Sequence, residues 1–517
     1  MEMDKRIYGI CAKWIRLIGG CVLLFLVMIN LVFSSHVDYQ SELVSIENNG
    51  ILEFIAALLF LGVFFVLSRM AEKMDEKVLF IVLAVAFVTA GICLIANADD
   101  ALRSDPLYAY QTAAALRGGD HSSLAKGGYL FYFPHQLGLI TYERILLLFS
   151  SDTKFLFFCN LLEMTGINFF LWRLTDILLK GSHAVNVNVI ILSFAFLPQF
   201  FFILFAYGLL PGLFCLMAAF FCAAVFVDKG KKRYLVFMTV CSSLAVFLKE
   251  NYLIGVIALA IWLVLESIRS RRYRLLIAAL LLLPCCTVSV KAVQGAYELE
   301  SGMKMGKGVP ALLYIGMGVN PHNEMLGPGW FDGSNWSYFT QCDQDSEMAA
   351  EKAKDLLRIY WGQMRDEPLQ TVIFFIRKNV SVWCDPMYQS VWSGPLESCG
   401  QHMDTKFLQS LYRGEKAEHM IYRYMKGYVL TVLVMSFLFL FKGWKENRGA
   451  ALLLLYHIGG FLFHMFWEGK SQYTYPYMFV LLPLCAYTLA RLSAYGSKRK
   501  PENVEDKCGI CEEIKSA

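Results

Sequence analysis

A short polar segment between two apolar stretches holds the residues best suited to chemistry. It carries three acids, Asp99, Asp100 and Asp105, together with Arg103 and Tyr108. Acids are costly to hold next to lipid, so a cluster of them that follows a membrane helix is a candidate functional site. A carboxylate in such a place can serve as a general base.

The residues around Asp105 predict a short helix. Pro106 is typical of the first turn of a helix, and Gly118 and Gly119 are typical of its end. The spacing predicts an amphipathic helix along the outer membrane surface with Asp105 as its N-cap. Asp105 is then either the chemical residue or a plain helix cap, and Asp99 or Asp100 is the alternative chemical residue.

Three more polar groups interrupt later apolar stretches. They are candidates for substrate binding: His135 and Gln136; Lys249 and Asn251; Glu468, Lys470, Gln472 and Tyr473. The lysines indicate a nearby anion, and a phosphate at the membrane surface is the obvious candidate. Each group also has a simpler explanation, because interfacial aromatic residues and polar turns are common without any catalytic role.

The rest of the chain is dominated by apolar residues. Of its 517 residues, 57% are hydrophobic and 17% are charged, whereas soluble domains carry roughly 25% charged residues. Long apolar runs recur from end to end, which predicts an all-α polytopic membrane protein of about 12–13 transmembrane helices. The net charge of +4 gives no reason to expect a nucleic-acid partner.

Clusters of lysine and arginine set the expected orientation, with both termini cytoplasmic and the polar groups on the outer side. In this scheme residues 136–150 re-enter the membrane. The stretch 155–180 looks like one helix, but the flanking basic clusters demand an even number of crossings there. It is therefore two short or re-entrant helices, or it lies partly in the interface.

The expected organisation has six parts. They are N-terminal transmembrane helices (1–96), an extracytoplasmic acidic loop with an interfacial helix (97–135), a transmembrane core (136–291), a larger mixed extracytoplasmic region (292–425), C-terminal transmembrane helices (426–495) and a disordered cytoplasmic tail (496–517). The fourth part is long enough to be a small folded domain. If it is extracytoplasmic, a disulfide among Cys342, Cys384 and Cys399 is an option.

In this order the motifs resemble those of integral membrane glycosyltransferases of the GT-C superfamily. The resemblance is to bacterial glycosyltransferase family 39, the protein-mannosyltransferase and aminoarabinose-transferase group. It rests on a series of weak motifs: Asp105-x-x-Tyr108 with Gly118-Gly119, Gly128-Tyr129 to Gly138, Tyr207-Gly208, Leu248 to Asn251, Gly316 to Gly318 with Gly327 to Trp330, and Glu468-x-x-x-Gln472-Tyr473-x-x-Pro476. Gln472 stands where the family often has arginine, and Lys470 is a possible substitute.

The resemblance implies inverting transfer of a sugar from a polyprenyl-phosphate donor held in the lipid bilayer. Asp105 would then be the base that deprotonates an acceptor hydroxyl. Cationic groups would hold the developing phosphate charge, and the candidates are Lys249, Lys470, His135 and Arg103.

The resemblance also implies an outer acceptor, which is a cell-envelope glycan, a lipid or a protein, and a place in a cell membrane, in particular a bacterial plasma membrane. No cofactor and no metal are expected. Some superfamily members use a divalent metal, however, and Asp99 with Asp100 is the one clear acid pair in this chain.

Two other functions compete with sugar transfer. A transporter or flippase of lipid-linked saccharides would show internal repeats and polar residues spread through the middle of the membrane. The sequence shows no internal repeat, and its polar groups gather at the expected outer turns. A membrane scaffold without activity would leave Asp105 as a helix cap. The sugar and the acceptor are not identified by the sequence.

Overall fold

The computed structural model describes residues 2–396 and 400–496, which are mostly helical. The helices of its first half are α1 (Glu2–Val32), α2 (Ile51–Ala71), α3 (Glu76–Asn97), α4 (Asp105–Arg117), α5 (Tyr129–Tyr132), α6 (Leu137–Leu146), α7 (Thr153–Leu178), α8 (His183–Ala195), α9 (Pro198–Phe201), α10 (Leu209–Lys229), α11 (Lys232–Leu248), α12 (Leu253–Ser270) and α13 (Tyr273–Ser301). Those of its second half are α14 (Ala311–Val319), α15 (Ser334–Gln341), α16 (Ser346–Asp366), α17 (Pro368–Trp383), α18 (Lys406–Tyr412), α19 (Lys416–Phe439), α20 (Gly443–Glu446), α21 (Ala451–Phe466), α22 (Tyr475–Phe479) and α23 (Leu482–Gly496).

A β-hairpin joins the first two helices. Its strands, β1 (Phe33–Val37) and β2 (Val44–Asn48), are antiparallel, with Phe33 opposite Asn48 and Val37 opposite Val44. Ser35 of β1 donates its backbone N–H to the Cys384 carbonyl at 3.2 Å. The hairpin is therefore fixed to the segment that follows α17.

The helices identify an all-α polytopic membrane protein. In the described part of the chain, eight helices are long and apolar enough to cross a membrane, or up to nine if the bent pair at 183–204 is one span. About 12–13 were expected. Much of the difference lies in α11 and α21, which have 17 and 16 residues, and in α19, whose first half is polar. A bilayer core needs about 20 apolar residues.

The stretch 155–180 lies almost wholly in one continuous helix, α7, of 26 residues. The expected membrane crossing at 136–150 is wrong, because the helix in this stretch is too short to span a bilayer. Helix α6 has 10 residues, which corresponds to a length of about 15 Å, half the thickness of a bilayer core. A Cβ atom on Gly138 would come within 1.6 Å of the Phe247 carbonyl oxygen, so this glycine permits α6 to pack directly on α11.

Residues 98–152 leave and rejoin the helical bundle at one end. The Thr153 side chain donates a hydrogen bond to the Asp100 carbonyl oxygen. The Tyr110 hydroxyl donates to the Ser151 carbonyl oxygen at 2.6 Å. Helices α4, α5 and α6 therefore form an excursion that returns to the point where it starts. We call this end of the bundle the site end.

The region between α13 and α19 packs on the site end through a buried lysine. Lys378 of α17 is 1% exposed, and its ammonium donates to the carbonyl oxygens of Gly318, Trp467 and Met465 at 2.5, 2.7 and 3.1 Å. Three carbonyl acceptors satisfy all the donors of an ammonium group. This contact fixes the chain just before Glu468.

The cysteines of this region form no disulfide among the described residues. Cys342 and Cys384 are buried free thiols, and Cys399 lies outside the described residues, as do positions 497–517 of the expected tail.

Candidate functional site

Asp105 is the first residue of α4 rather than its N-cap. The N-cap is Ser104, and no side chain caps this helix. The expected capping role is therefore wrong by one residue. Ser104 has φ 54° and ψ −138°, a backbone conformation that non-glycine residues rarely adopt and that is concentrated at functional sites. The turn leaves Asp105 exposed, and its Oδ2 accepts a hydrogen bond from the Tyr207 hydroxyl at 3.2 Å.

Tyr207 lies at the centre of the site, in the turn before α10. Gly208 takes the left-handed conformation that this turn requires, with φ 73°. The Gln136 Nε2 atom donates to the Tyr207 hydroxyl at 2.7 Å. The Lys249 ammonium lies 3.9 Å from the centre of the Tyr207 ring and donates to its carbonyl oxygen at 3.3 Å. Tyr207 thus joins the acid of α4 to residues from two other elements.

The segment after α21 supplies the second half of the site. Lys470 forms an ion pair with Glu42, with 2.9 Å between Nζ and Oε1, and both side chains are mostly buried. Glu42 lies in the turn of the β-hairpin, and Gln389 donates to the same carboxylate oxygen at 3.0 Å. The Tyr473 hydroxyl donates to Glu468 Oε1 at 3.3 Å.

The two halves of the site interact electrostatically. Burial lowers the pKa of Lys249 to about 8, although Asp105 and Glu468 favour its charged form. Burial raises the pKa of Glu468 to about 7, although Lys470 opposes this effect. At neutral pH Lys249 is thus mainly charged, and Glu468 is divided between its two forms. The site end thus holds two lysines among three acids, Asp105, Glu468 and Glu42, so an anionic ligand would compete with these acids for the lysines.

Two neighbouring residues have pKa values well away from neutral pH. For Lys470, burial lowers the pKa, but Glu42 and Glu468 together raise it overall, so this lysine stays charged. Burial and the charge of Lys249 lower the pKa of His135 to about 4. His135 is exposed, and with this pKa it is mainly neutral near pH 7, so it would offer an anionic ligand a hydrogen bond rather than a charge.

Asp99 and Asp100 lie apart from this cluster. The Asp99 carboxylate accepts the backbone N–H of Ala101 at 3.0 Å and that of His402 at 3.3 Å, and these hydrogen bonds lower its pKa despite some burial. Asp99 thus fixes the loop after α3 to residue 402. Asp100 is exposed; its carbonyl oxygen accepts a hydrogen bond from the Thr153 hydroxyl, and its side chain forms a hydrogen bond with Asp99.

Arg103 and Tyr108 have structural contacts of their own. The Arg103 Nη1 atom donates to the carbonyl oxygens of Trp392 at 2.7 Å and Tyr39 at 3.1 Å, and the guanidinium lies 4.2 Å from the centre of the Trp392 ring. Arg103 therefore joins the hairpin, the turn before α4 and the segment after α17. Tyr108 is exposed and stacks on Tyr129 with 6.2 Å between ring centres.

Asn251 and Gln472 are less closely involved. Asn251 lies in a short 3₁₀ turn directly after Lys249, and no hydrogen bond joins its side chain to the cluster in the described ranges. Gln472 is buried, and its Oε1 atom has no hydrogen-bond partner within the described chain. The backbone N–H of Gln472 donates to Gln389 Oε1 at 3.4 Å.

Sequence reasoning missed part of this site. In the sequence, Tyr207 stands out only as part of the Tyr207-Gly208 turn motif and not as a site residue, although an aromatic–glycine pair at an apolar boundary is a usable signal. Tyr129 lies near Asp105 and Tyr207, and burial raises its pKa. Glu42 had no signal at all, because its contact with Lys470 joins residues that are 428 positions apart.

A cavity of about 410 Å³ lies beside the turn that precedes Asp105. Its lining residues are Gln40, Ser41, Glu42, Leu102, Arg103, Ser104, Leu107, Trp392, Leu396 and Gln401.

Among the described residues, no group of three or more His, Cys, Asp or Glu side chains is placed to hold a metal ion. No family model and no curated protein matches the sequence of this chain.

Proposed function

We propose that this protein is a membrane glycosyltransferase that moves a sugar from a polyprenyl-phosphate donor to an acceptor hydroxyl. The main support for the proposal is that an exposed carboxylate, Asp105, and two lysines, Lys249 and Lys470, lie together at one end of a membrane bundle. These residues come from three separate parts of the chain, and their charges act on one another. A base beside phosphate-binding cations is the minimum equipment for sugar transfer from a phosphate.

Each group has a role in the proposed reaction. Asp105 accepts the proton of the acceptor hydroxyl, and the acceptor oxygen forms a bond with the anomeric carbon. The bond between that carbon and the phosphate oxygen breaks on the opposite face, so the configuration inverts. Lys249 and Lys470 stabilise the departing prenyl phosphate. Tyr207, which donates to Asp105 Oδ2, holds the carboxylate in position.

The membrane bundle supports a lipid donor in particular. An isoprenoid chain belongs in the bilayer, and its phosphate belongs at the membrane surface. In the proposal the site end faces outward, both chain termini are cytoplasmic, and the membrane is a plasma membrane of the bacterial type. The basic clusters between the spans support this orientation. The likeness of the motifs to GT-C glycosyltransferases supports the same reaction class.

The direct test replaces Asp105 by Asn, which keeps the shape of the side chain and removes the base. The matched control is Asp100→Asn, the same change at an exposed acid of the same loop. We expect Asp105→Asn to lose sugar transfer by at least 100-fold, in the range expected of a general base, with normal abundance. The measurement is lipid-linked saccharide and envelope glycan profiling in cells, together with prenyl phosphate release by the purified full chain.

The outcomes separate the alternatives. Loss of transfer in Asp100→Asn but not in Asp105→Asn would move the base to Asp100. Unchanged transfer in both variants would remove this loop from the chemistry. If the protein moves a lipid-linked saccharide across the membrane without releasing prenyl phosphate, it is a flippase and the proposal is wrong.

A further inference from the structure

The cavity beside α4 is the feature that the proposed reaction leaves unused. Its volume of about 410 Å³ falls within the range of small-ligand sites, about 300–1,000 Å³. Its walls come from the hairpin turn, from the turn that precedes α4, and from Trp392, Leu396 and Gln401. Ser104, which lines the cavity, directly precedes Asp105 in the chain, so the cavity borders the turn that carries the proposed base.

We propose that this cavity binds the acceptor and that the acceptor is a saccharide. This inference rests on the proposed function, because an acceptor hydroxyl must lie within hydrogen-bond reach of Asp105. It goes further by assigning a place and a chemical class to the second substrate. The donor phosphate is assigned to the lysines, and the acceptor to the cavity, which is lined by Glu42, the ion-pair partner of Lys470.

The polar lining of the cavity suits hydroxyl groups. Gln40, Ser41, Ser104 and Gln401 contribute amides and hydroxyls, which both donate to and accept from sugar hydroxyls. Gln401 is 8% exposed, and its Oε1 already accepts the Leu396 N–H at 2.7 Å. Within the described residues its Nε2 has no protein partner and remains available to a ligand.

The charged residues of the lining are already paired with protein groups. Glu42 accepts from Lys470 and Gln389, and Arg103 donates to two carbonyl oxygens. A charged ligand would therefore bring an uncompensated charge into the cavity, whereas a neutral polyhydroxylated ligand would not. The apolar faces of Leu102 and Leu107 suit the C–H faces of a sugar ring.

The hairpin turn is held by hydrogen bonds of its own. The Asp38 carboxylate accepts the N–H groups of Gln40 and Ser41 at 3.0 and 2.6 Å, and the Ser41 hydroxyl at 2.7 Å. A wall held in this way loses little conformational freedom on binding. The walls are turns and loops rather than the spanning helices, so the cavity is not a groove for a lipid chain.

The test measures two ligands on the full chain in lipid nanodiscs. The first probe is a panel of neutral oligosaccharides of glucose, galactose, mannose and N-acetylglucosamine, followed by saturation-transfer NMR and titration. The second probe is geranylgeranyl phosphate, followed by calorimetry. The variant is Gln40→Trp, which places an indole in the cavity, and the control is Gln341→Trp at an exposed glutamine of α15.

We expect at least one saccharide to bind the natural chain and Gln341→Trp, and its Kd to rise at least tenfold in Gln40→Trp. Geranylgeranyl phosphate should bind all three proteins within twofold, which also shows that the variant is folded. Absence of saccharide binding, equal binding to Gln40→Trp, or binding of a Ser/Thr peptide in the cavity would each overturn the inference. Absence of geranylgeranyl phosphate binding would instead overturn the proposed function.

Discussion

Binding of a prenyl phosphate should weaken steeply between pH 7 and pH 9, because Lys249 loses its proton in that range. Burial lowers the pKa of this lysine to about 8. The ammonium is then about 90% charged at pH 7 and about 10% charged at pH 9. If the charged form alone binds the phosphate, the apparent Kd rises about tenfold, or ~1.4 kcal/mol.

The ligand does not account for this change, and a second residue adds to it. A phosphate monoester has its second pKa near 6, so its charge is nearly constant above pH 7. Burial raises the pKa of Glu468 to about 7, so this acid gains negative charge as the pH rises from 6 to 8 and repels the phosphate. Both residues weaken binding as the pH rises. Glu468→Gln should remove the loss of phosphate affinity between pH 6 and pH 8 that Glu468 causes, and should leave the loss near pH 8 that Lys249 causes.

The assay is calorimetric titration of the full chain in nanodiscs with geranylgeranyl phosphate from pH 6.5 to 9.5. Lys249→Arg keeps a charge that does not titrate, so its affinity should be nearly flat above pH 7.5, and Lys249→Met should bind weakly throughout. Lys354→Arg, at an exposed lysine of α16, is the matched control and should behave as the natural chain. Equal pH slopes in the natural chain and in Lys249→Arg would refute the reasoning.

Three further predictions follow from the same contacts. Tyr207→Phe removes the hydroxyl that donates to Asp105 and should lower kcat about tenfold with donor KM within twofold, since one such hydrogen bond contributes about 1–1.5 kcal/mol; unchanged kcat would contradict its positioning role. Glu42→Gln removes the counter-charge of Lys470 and should tighten geranylgeranyl phosphate binding about fivefold, or ~1 kcal/mol, by calorimetry; equal or weaker binding would contradict it. Ser104→Gly should be more stable than Ser104→Ala by about 1–2 kcal/mol in free energy of unfolding, and should melt at a higher temperature, because glycine tolerates φ 54°. Equal melting temperatures would count against strain at this turn.

Composition was enough to predict the membrane class and the place of several site residues. Lys249, Lys470 and Asp105 are polar residues at the ends of apolar stretches, where a membrane fold leaves few places for charge. Ends that lie on one side of a bilayer share a surface, so their meeting at the site end follows from the topology. This reasoning needs the hydrophobic pattern alone, which is the strongest signal in the sequence.

The remainder depends on contacts that a single sequence does not reveal. The pairing of Glu42 with Lys470 comes from tertiary packing, as does the hydrogen bond that the His402 N–H donates to Asp99. The one-residue displacement of the helix start depends on the backbone of Ser104, whose left-handed φ has no signal in a serine. The sequence around α6 predicts a membrane span because apolar composition does not show where a helix ends.

The return of residues 98–152 to their starting point has an evolutionary consequence. The ends of this segment are held together by the contacts of Asp100 with Thr153 and of Tyr110 with Ser151. An insertion with adjacent ends can change in length and sequence without moving the elements that flank it. The excursion that carries Asp105 can therefore change in length and sequence while α3 and α7 keep their places in the bundle.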